Sequence, residues 1–113
     1  MKTIYICHPL RGNHPHDIAR INANYNSARR ICERLAREEP DVLILSPLHA
    51  FSFFPARGDQ TAPLRMCLAL LGKADEPRVY GNWQSSEGCC MEIEHARRLG
   101  IPVAFPEEDH GDA

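Results

Sequence analysis

The sequence predicts an α/β fold: one domain with a doubly wound, mostly parallel sheet of four to five strands, Rossmann- or flavodoxin-like, and helices on both faces. Three observations lead to this prediction. Short, continuously apolar runs recur along the chain, as in strands that are covered on both faces. Segments with apolar residues three and four apart separate these runs, as in amphipathic helices. The length of 113 residues suits a single hydrophobic core.

Each predicted element follows from its local pattern. The elements, in order, are strand 3–7, loop 8–16, helix 17–38, strand 42–45, loop 46–60, a helix with Pro63 in its first turn and Leu71 on its core face, a strand centred on Val79 and Tyr80, a capped helix from about 86 to Gly100, and strand 101–105. The domain is assigned to residues 1–105. Residues 106–113 are acidic and are expected to form a frayed tail.

Composition and charge exclude several classes of function. The formal net charge of −2, without a run of Lys or Arg, argues against a nucleic-acid polymer as partner. The apolar runs are too short to cross a bilayer, so no membrane partner is expected. The N-terminus lacks the apolar core of a signal peptide, which favours a cytoplasmic location.

The cysteines and histidines do not have the spacing of a metal site. The five cysteines include no Cys-x-x-Cys pair, and the adjacent Cys89 and Cys90 lack metal-ligand spacing. His14 and His16 share a polar loop without a third ligand nearby. Structural thiols, no metal and no cofactor are therefore expected.

The segment from Ser86 to Glu92 carries the strongest functional signal. Ser86 and Gly88 stand where a helix begins, and free backbone N–H groups at such a place bind anions. Side chains on a helix lean toward its N-terminus, so Glu92 is expected to project over Gly88 and Cys89. Gly88 leaves space for a ligand above the carboxylate. The pattern therefore predicts that an anion site, an open space at Gly88 and the Glu92 carboxylate lie next to one another along one side of the helix.

Local pattern alone leaves a structural alternative open for each of these residues. Glu92 lies at the edge of the helix's core face, where partial burial favours a raised pKa, but it also has the spacing of an ion-paired residue. Ser86 is equally consistent with a simple N-cap. Arg11 beside Gly12 suits a phosphate, yet also a surface charge. Tyr5 sits inside a predicted strand and is consistent with the core.

Three polar loops are predicted to meet at the carboxyl ends of the strands, where open parallel sheets bind ligands. They are residues 8–16, 46–60 and 82–88. The second loop is unusually rich in aromatic residues, with Phe51, Phe53 and Phe54. These three side chains are expected to be exposed in a monomer, which favours a homo-oligomer.

Two motifs resemble the nucleoside 2-deoxyribosyltransferase superfamily, in particular its 2′-deoxynucleoside 5′-phosphate N-hydrolase branch and an uncharacterised related branch. The first motif runs from Tyr5 through His8 to Gly12 and is similar to that branch's first strand and phosphate loop. The second runs from Ser86 through Gly88 to Ile93 and is similar to the helix entry that carries the catalytic glutamate. The resemblance covers nearly the whole chain in the order of its elements.

The resemblance implies an N-glycosidic bond hydrolase or base-exchange transferase. Glu92 would be the nucleophile that forms a glycosyl ester, and Tyr5 would fix its orientation. The residues around the substrate's 5′ end would be His8, Arg11, Gly12, Ser86 and Gly88. Serine at position 86, where the transferases have aspartate, favours a nucleoside 5′-monophosphate over a free nucleoside, because a carboxylate repels phosphate.

Two departures from the superfamily pattern bear on catalysis. Cys67 occupies the place of an aspartate that helps to protonate the leaving base, and a thiol is a poor acid for that step. His8 and Pro9 replace Gly-Ser in the phosphate loop. His8 or His49 is a candidate to take over proton transfer. The alternative function is a non-catalytic nucleotide-binding module that has lost its general acid.

Overall fold

A three-stranded parallel sheet organises the computed structural model, which describes residues 1–109. The strands lie in the order β2-β1-β3. The elements are β1 (Lys2–Cys7), α1 (Ile18–Glu38), β2 (Val42–Leu45), α2 (Pro47–Ala50), α3 (Thr61–Leu71), β3 (Glu76–Val79), a 3₁₀ turn (Trp83–Ser85), α4 (Glu87–Arg98) and α5 (Pro106–Asp109). The predicted α/β class and parallel sheet are confirmed.

The central strand β1 has side chains on both faces of the sheet, and each face carries its own core. Ile4 and Ile6 pack with Leu35 of α1 on one face. On the other face, Tyr5 and Cys7 pack with residues of α3 and α4. All four of these β1 side chains are buried because β1 is paired on both edges, Tyr5 with Leu45 for example, and covered on both faces.

The predicted fourth strand, residues 101–105, is reduced to one bridge between Arg78 and Ala104. Ala104 N–H donates to the carbonyl of Pro77, and Val79 N–H donates to the carbonyl of Ala104. The next bonds of a parallel ladder would need N–H groups at positions 77, 102 and 106, which are all proline. The remaining donor, Gly81 N–H, bonds instead to Glu107 Oε1 at 2.6 Å. Four or five strands were predicted, and residues 1–109 contain three.

Other element boundaries differ from the sequence prediction in smaller ways. The strand centred on Val79 and Tyr80 ends at Val79. Pro63 lies in the first turn of its helix as predicted, since α3 begins at Thr61. Loop 46–60 contains the short helix α2, because Pro47 has the fixed φ that suits a helix start.

The acidic segment after Phe105 is not a frayed tail over its first residues. Residues 106–109 form α5, Glu107 Oε1 accepts from Gly81 N–H, and Glu108 Oε1 accepts from Trp83 Nε1 at 3.0 Å. Residues 110–113 of the predicted tail lie outside the described part of the chain. Within residues 1–109, none of the helices combines the length and apolar character that crossing a bilayer requires.

Candidate active site

Ser86 caps the N-terminus of α4, and the space beside Gly88 in the first turn of this helix is empty. Ser86 is buried and extended, and its Oγ accepts the N–H of Cys89 at 3.2 Å, which caps the helix. A Cβ placed on Gly88 would meet no atom within 4 Å. The gap expected beside this helix turn is therefore present.

Glu92 lies one turn into α4 and contributes to the wall of a cavity of about 680 Å³. Part of its side chain is exposed to the cavity, but its Oε2 atom is buried and has no hydrogen-bond partner within residues 1–109. Burial raises the pKa of Glu92 to about 7, and neighbouring Cys7 and Tyr5 lower it by a smaller amount. At neutral pH this carboxyl group exists in both its protonated and its ionised form.

Tyr5 lies beneath Glu92, on the face of β1 that α4 covers. Burial, then the charge of Glu92, raises the pKa of the Tyr5 phenol well above its usual value, so the two groups are close neighbours. Yet Tyr5 Oη is buried without a hydrogen bond of good geometry to any described residue. Such buried polar groups are rare in native proteins and mark places where a ligand or water is expected.

The three predicted rim loops all contribute to the cavity wall. Arg11 and Gly12 come from the loop after β1, and Ser86 comes from the segment after β3. The loop after β2 contributes Phe51 and Phe54, and α1 adds Tyr25. Tyr25, Phe51 and Phe54 therefore form the aromatic wall of the cavity, whereas α4 contributes two carboxyl groups, the open position at Gly88, Cys89 and Met91.

The loop after β1 contacts both the segment after β3 and the loop after β2. Gly12 has a φ of +55°, a backbone conformation that side chains rarely adopt, and its Cβ position lies 3.7 Å from Ser85 Oγ. Arg11 Nη1 donates to the carbonyl of Gly58 at 3.3 Å, so the guanidinium bridges the loops after β1 and β2. Arg11, Gly12, Ser86 and Gly88 thus line the same cavity as Glu92.

Of the two histidines proposed for proton transfer, His8 lines the cavity, and both form hydrogen bonds with neighbouring groups. His8 is buried, with Nδ1 2.7 Å from the Pro9 carbonyl and Nε2 3.0 Å from Ser27 Oγ. The carbonyl can only accept, so Nδ1 carries the proton, and burial lowers the pKa of the ring. His49 is exposed, bonds to Ser46 Oγ at 2.6 Å, and does not line the cavity.

Cys67 of α3 also lines the cavity. Burial and the nearby charge of Glu92 raise the pKa of its thiol to about 12. Tyr5, Cys7 and Cys67 lie around Glu92, and Cys89 is a neighbour of Cys7 and Cys67. A thiol with this pKa stays protonated at neutral pH and transfers its proton slowly.

A family model described as a domain of unknown function, DUF7768, matches residues 2–106. The chain belongs to the DUF7768 family. No curated protein and no solved structure gives a significant match to the chain. The matched segment of the DUF7768 domain contains every residue discussed above as part of the cavity.

Sequence reasoning missed part of the DUF7768 cavity. Tyr25 has the helical spacing of a core residue, and only the packing of α1 shows that it lines the cavity. Phe51 and Phe54 were expected to be exposed together with Phe53, but only Phe53, at 70%, is strongly exposed. Asp59 also lines the cavity, and its Oδ1 accepts the N–H of Thr61, the first residue of α3, at 2.7 Å.

Among residues 1–109, no three His, Cys, Asp or Glu side chains are grouped to hold a metal ion. The thiols around Glu92 instead pack as small apolar groups, and Cys7 and Cys89 are both about 1% exposed.

Proposed function

We propose that the chain is an N-glycosidase, or a base-exchange transferase, that acts on a nucleoside 5′-monophosphate with Glu92 as the nucleophile. One observation carries the proposal: a buried carboxylate oxygen without a partner belongs to the same cavity as an open helix N-terminus and Arg11. A ligand with a reactive carbon at one end and an anion at the other suits this arrangement.

The chemistry follows from the surroundings of Glu92. Its ionised form attacks the anomeric carbon, the base leaves, and a glycosyl ester remains for water or a second base to resolve. Desolvation makes the carboxylate more basic and more reactive, since its pKa of about 7 is well above that of a free glutamate. The unpartnered Tyr5 hydroxyl is suited to bond one carboxylate oxygen and fix the direction of attack.

The anion end supports a phosphate rather than a free hydroxyl. Ser86 Oγ accepts from Cys89 N–H, so its own hydrogen remains to be donated to a ligand oxygen. Arg11 adds a permanent positive charge on the opposite loop, and the N-terminus of α4 adds its partial positive charge.

Base release tests the proposal directly. The purified chain is incubated with nucleoside 5′-monophosphates and the matching nucleosides, and free base is measured by chromatography. Glu92→Ala is expected to abolish release. The matched control is Glu94→Ala, which removes an exposed glutamate of the same helix whose partner is Arg98. Release that survives in Glu92→Ala would contradict the proposal.

The variant Ser86→Asp tests whether the chain prefers nucleoside monophosphates to nucleosides. Aspartate caps helices as well as serine does, so Ser86→Asp should keep α4 intact while placing a negative charge at the anion end. Cleavage of monophosphates is expected to fall by about 10-fold or more, as for removal of a charged hydrogen bond, with a smaller effect on nucleosides. Equal losses on both substrate types would argue against a phosphate at this place.

The second candidate is a nucleotide-binding module without turnover. Cys67 in place of the superfamily's aspartate, with a pKa of about 12, favours it. Calorimetric titration with the same nucleotides separates the two functions. Binding without base release, with the same rank order of ligands in Glu92→Gln, would identify the module.

The remaining expectations belong to the same proposal. The single Arg78–Ala104 bridge is consistent with residues 101–105 acting as the edge of a four-stranded, doubly wound sheet. Phe53 is 70% exposed beside the cavity-lining Phe51 and Phe54, which supports a homo-oligomer formed through the 46–60 loop. The proposed substrates are intracellular metabolites, which agrees with a cytoplasmic location. We expect neither a metal nor a cofactor.

A further inference from the structure

An N-glycosidase must deal with the charge on the base that leaves. A neutral nucleobase departs as an anion unless an acid protonates it as the bond breaks. The cavity wall therefore has to supply an acid, unless the substrate makes one unnecessary.

The carboxyl groups that line the cavity besides Glu92 do not meet this need. The Thr61 N–H bond lowers the pKa of Asp59, which keeps it ionised. Glu87 is exposed at the first residue of α4, the helix end proposed above for the phosphate. Asp59 is therefore held ionised, and Glu87 lies at the phosphate end of the cavity rather than beside the base.

The other groups that line the cavity are equally unsuited. His8 uses both ring nitrogens in hydrogen bonds and is held neutral by burial. Cys67 keeps its proton because burial raises its pKa to about 12. Burial also raises the pKa of the Tyr25 phenol. Among the described residues, none of these three combines a free proton with the strength to release it.

The surroundings of Glu92 also lack a positive charge. Within residues 1–109 the groups that perturb it are Cys7 and Tyr5, and neither Arg11 nor Arg65 is among them, although both line the cavity. A buried carboxylate without a cation is costly, and a cation brought by the ligand would remove that cost. The aromatic wall of Tyr25, Phe51 and Phe54 is suited to hold a flat cation by cation–π contact.

We propose that the preferred substrate is a nucleotide whose glycosidic nitrogen is already positively charged, such as a pyridinium mononucleotide. This inference rests on the proposed N-glycosidase function and narrows its substrate class. The absence of a placed acid, the uncompensated carboxylate and the aromatic wall lead to it independently.

The step balances without an acid. A Glu92 oxygen bonds to C1′ while the bond from C1′ to the ring nitrogen breaks. The electron pair of the broken bond stays on nitrogen and cancels its positive charge, so the base leaves neutral. Water then attacks C1′, the ester bond breaks with its electron pair returning to the Glu92 carboxylate, and the proton of the water passes to solvent.

The test compares nicotinamide mononucleotide with AMP, CMP and their deoxy forms, with Glu92→Ala as the background. The pyridinium substrate is expected to have a kcat/KM about 100-fold or more above the others, the usual scale of general acid catalysis. Faster release from any nucleotide whose base is uncharged would overturn the inference and leave the proposed function standing. Release from none of the substrates would overturn both.

The pH dependence of kcat/KM of the unmodified chain provides a second test of the inference. The groups that face Glu92 are Tyr5 and Cys7 from β1 and Cys67 from α3, and Cys89 of α4 lies beside Cys7 and Cys67. With no acid in the reaction, kcat/KM for the pyridinium substrate should rise through about pH 7 with Glu92 and then stay level to about pH 9. A fall within that range would reveal a required acid and would overturn the inference.

Cys67→Asp tests the cause of the preference. It places a carboxyl group on the cavity wall at the position where an acid is missing. The ratio of pyridinium to neutral-base cleavage is expected to fall by about 10-fold or more. An unchanged ratio would overturn the argument that the missing acid sets the preference.

Discussion

The two faces of strand β1 are built from different chemistry. Ile4 and Ile6 face α1 in a core of aliphatic side chains with Tyr80 and Cys32. Tyr5 and Cys7 face α3 and α4 in a core that also holds a carboxylate and further thiols. The two unpartnered buried polar atoms identified in residues 1–109, Tyr5 Oη and Glu92 Oε2, both lie on this second face. Since such groups cost stability, their concentration on one face supports placing the proposed site on that side of the sheet.

Glu92→Gln should separate activity from stability most strongly. The amide cannot act as a nucleophile, so base release is expected to fall by about 10³-fold or more. The free energy of unfolding at pH 8 is expected to rise, because the variant removes a buried charge without a cation partner. Urea titration and base release on the same preparation measure both effects.

Glu94→Gln is the control for that variant. Glu94 lies two residues away on the solvent side of α4 and pairs with Arg98. Loss of this exposed pair should change stability by about 0.5 kcal/mol or less and leave base release unchanged. A Glu92→Gln protein that is destabilised by several kcal/mol would contradict the assignment of Glu92 as an uncompensated charge.

The pH dependence of stability should carry the signature of Glu92. Its pKa is about 7 in the folded chain against 4.5 for a free glutamate, so the folded state binds more protons between these values. The free energy of unfolding should therefore fall as pH rises through this window, by about 3 kcal/mol from this group.

The contribution is isolated by subtraction. The difference in unfolding free energy between the unmodified chain and Glu92→Gln, measured from pH 4.5 to 8, removes the effect of other groups. Tyr5, Cys7 and Cys67 also have raised pKa values, but they titrate well above this range. A flat difference curve would show that Glu92 titrates like a solvated carboxyl group.

Tyr5→Phe and Tyr80→Phe compare two buried tyrosines, one on each face of the sheet. The Tyr5 hydroxyl has no partner, so its removal should stabilise the chain by about 1 kcal/mol and slow base release by about 10-fold or more. Tyr80 packs with Ile4 and Ile6, and its hydroxyl lies near Arg78. Tyr80→Phe should leave base release unchanged. Thermal unfolding and steady-state kinetics of both variants make the comparison.

Sequence reasoning reached the parts of the molecule that local pattern determines. The apolar run of β1, the helical spacing of α1 and the capped start of α4 are all properties of neighbouring residues. The gap at Gly88 followed from the geometry of a single helix turn. These features were predictable because no distant contact is needed to produce them, whereas the burial of Glu92 also depends on Tyr5 and Cys7 of β1.

The remaining features depend on contacts between distant segments. Residues 101–105 have a strand-like composition, but they pair at one position because prolines in two segments remove the adjacent donors. Tyr25 and Phe54 line the cavity only because α1 and the 46–60 loop meet there. The bonds that occupy His8 come from Pro9 and from Ser27, nineteen residues away. None of this is visible in a local pattern.

The smallest expected effect on stability comes from substituting two glycines that both have empty space around them, Gly88 and Gly100. A Cβ would meet no atom within 4 Å at Gly88 or at Gly100, but Gly100 has a φ of +73° whereas Gly88 lies within α4. Gly88→Ala should therefore raise the free energy of unfolding by about 0.5 kcal/mol, and Gly100→Ala should lower it by about 1 kcal/mol. Only Gly88→Ala fills space beside Glu92, so only this variant should raise KM. A raised KM in Gly100→Ala, or an unchanged one in Gly88→Ala, would place the sugar elsewhere in the cavity.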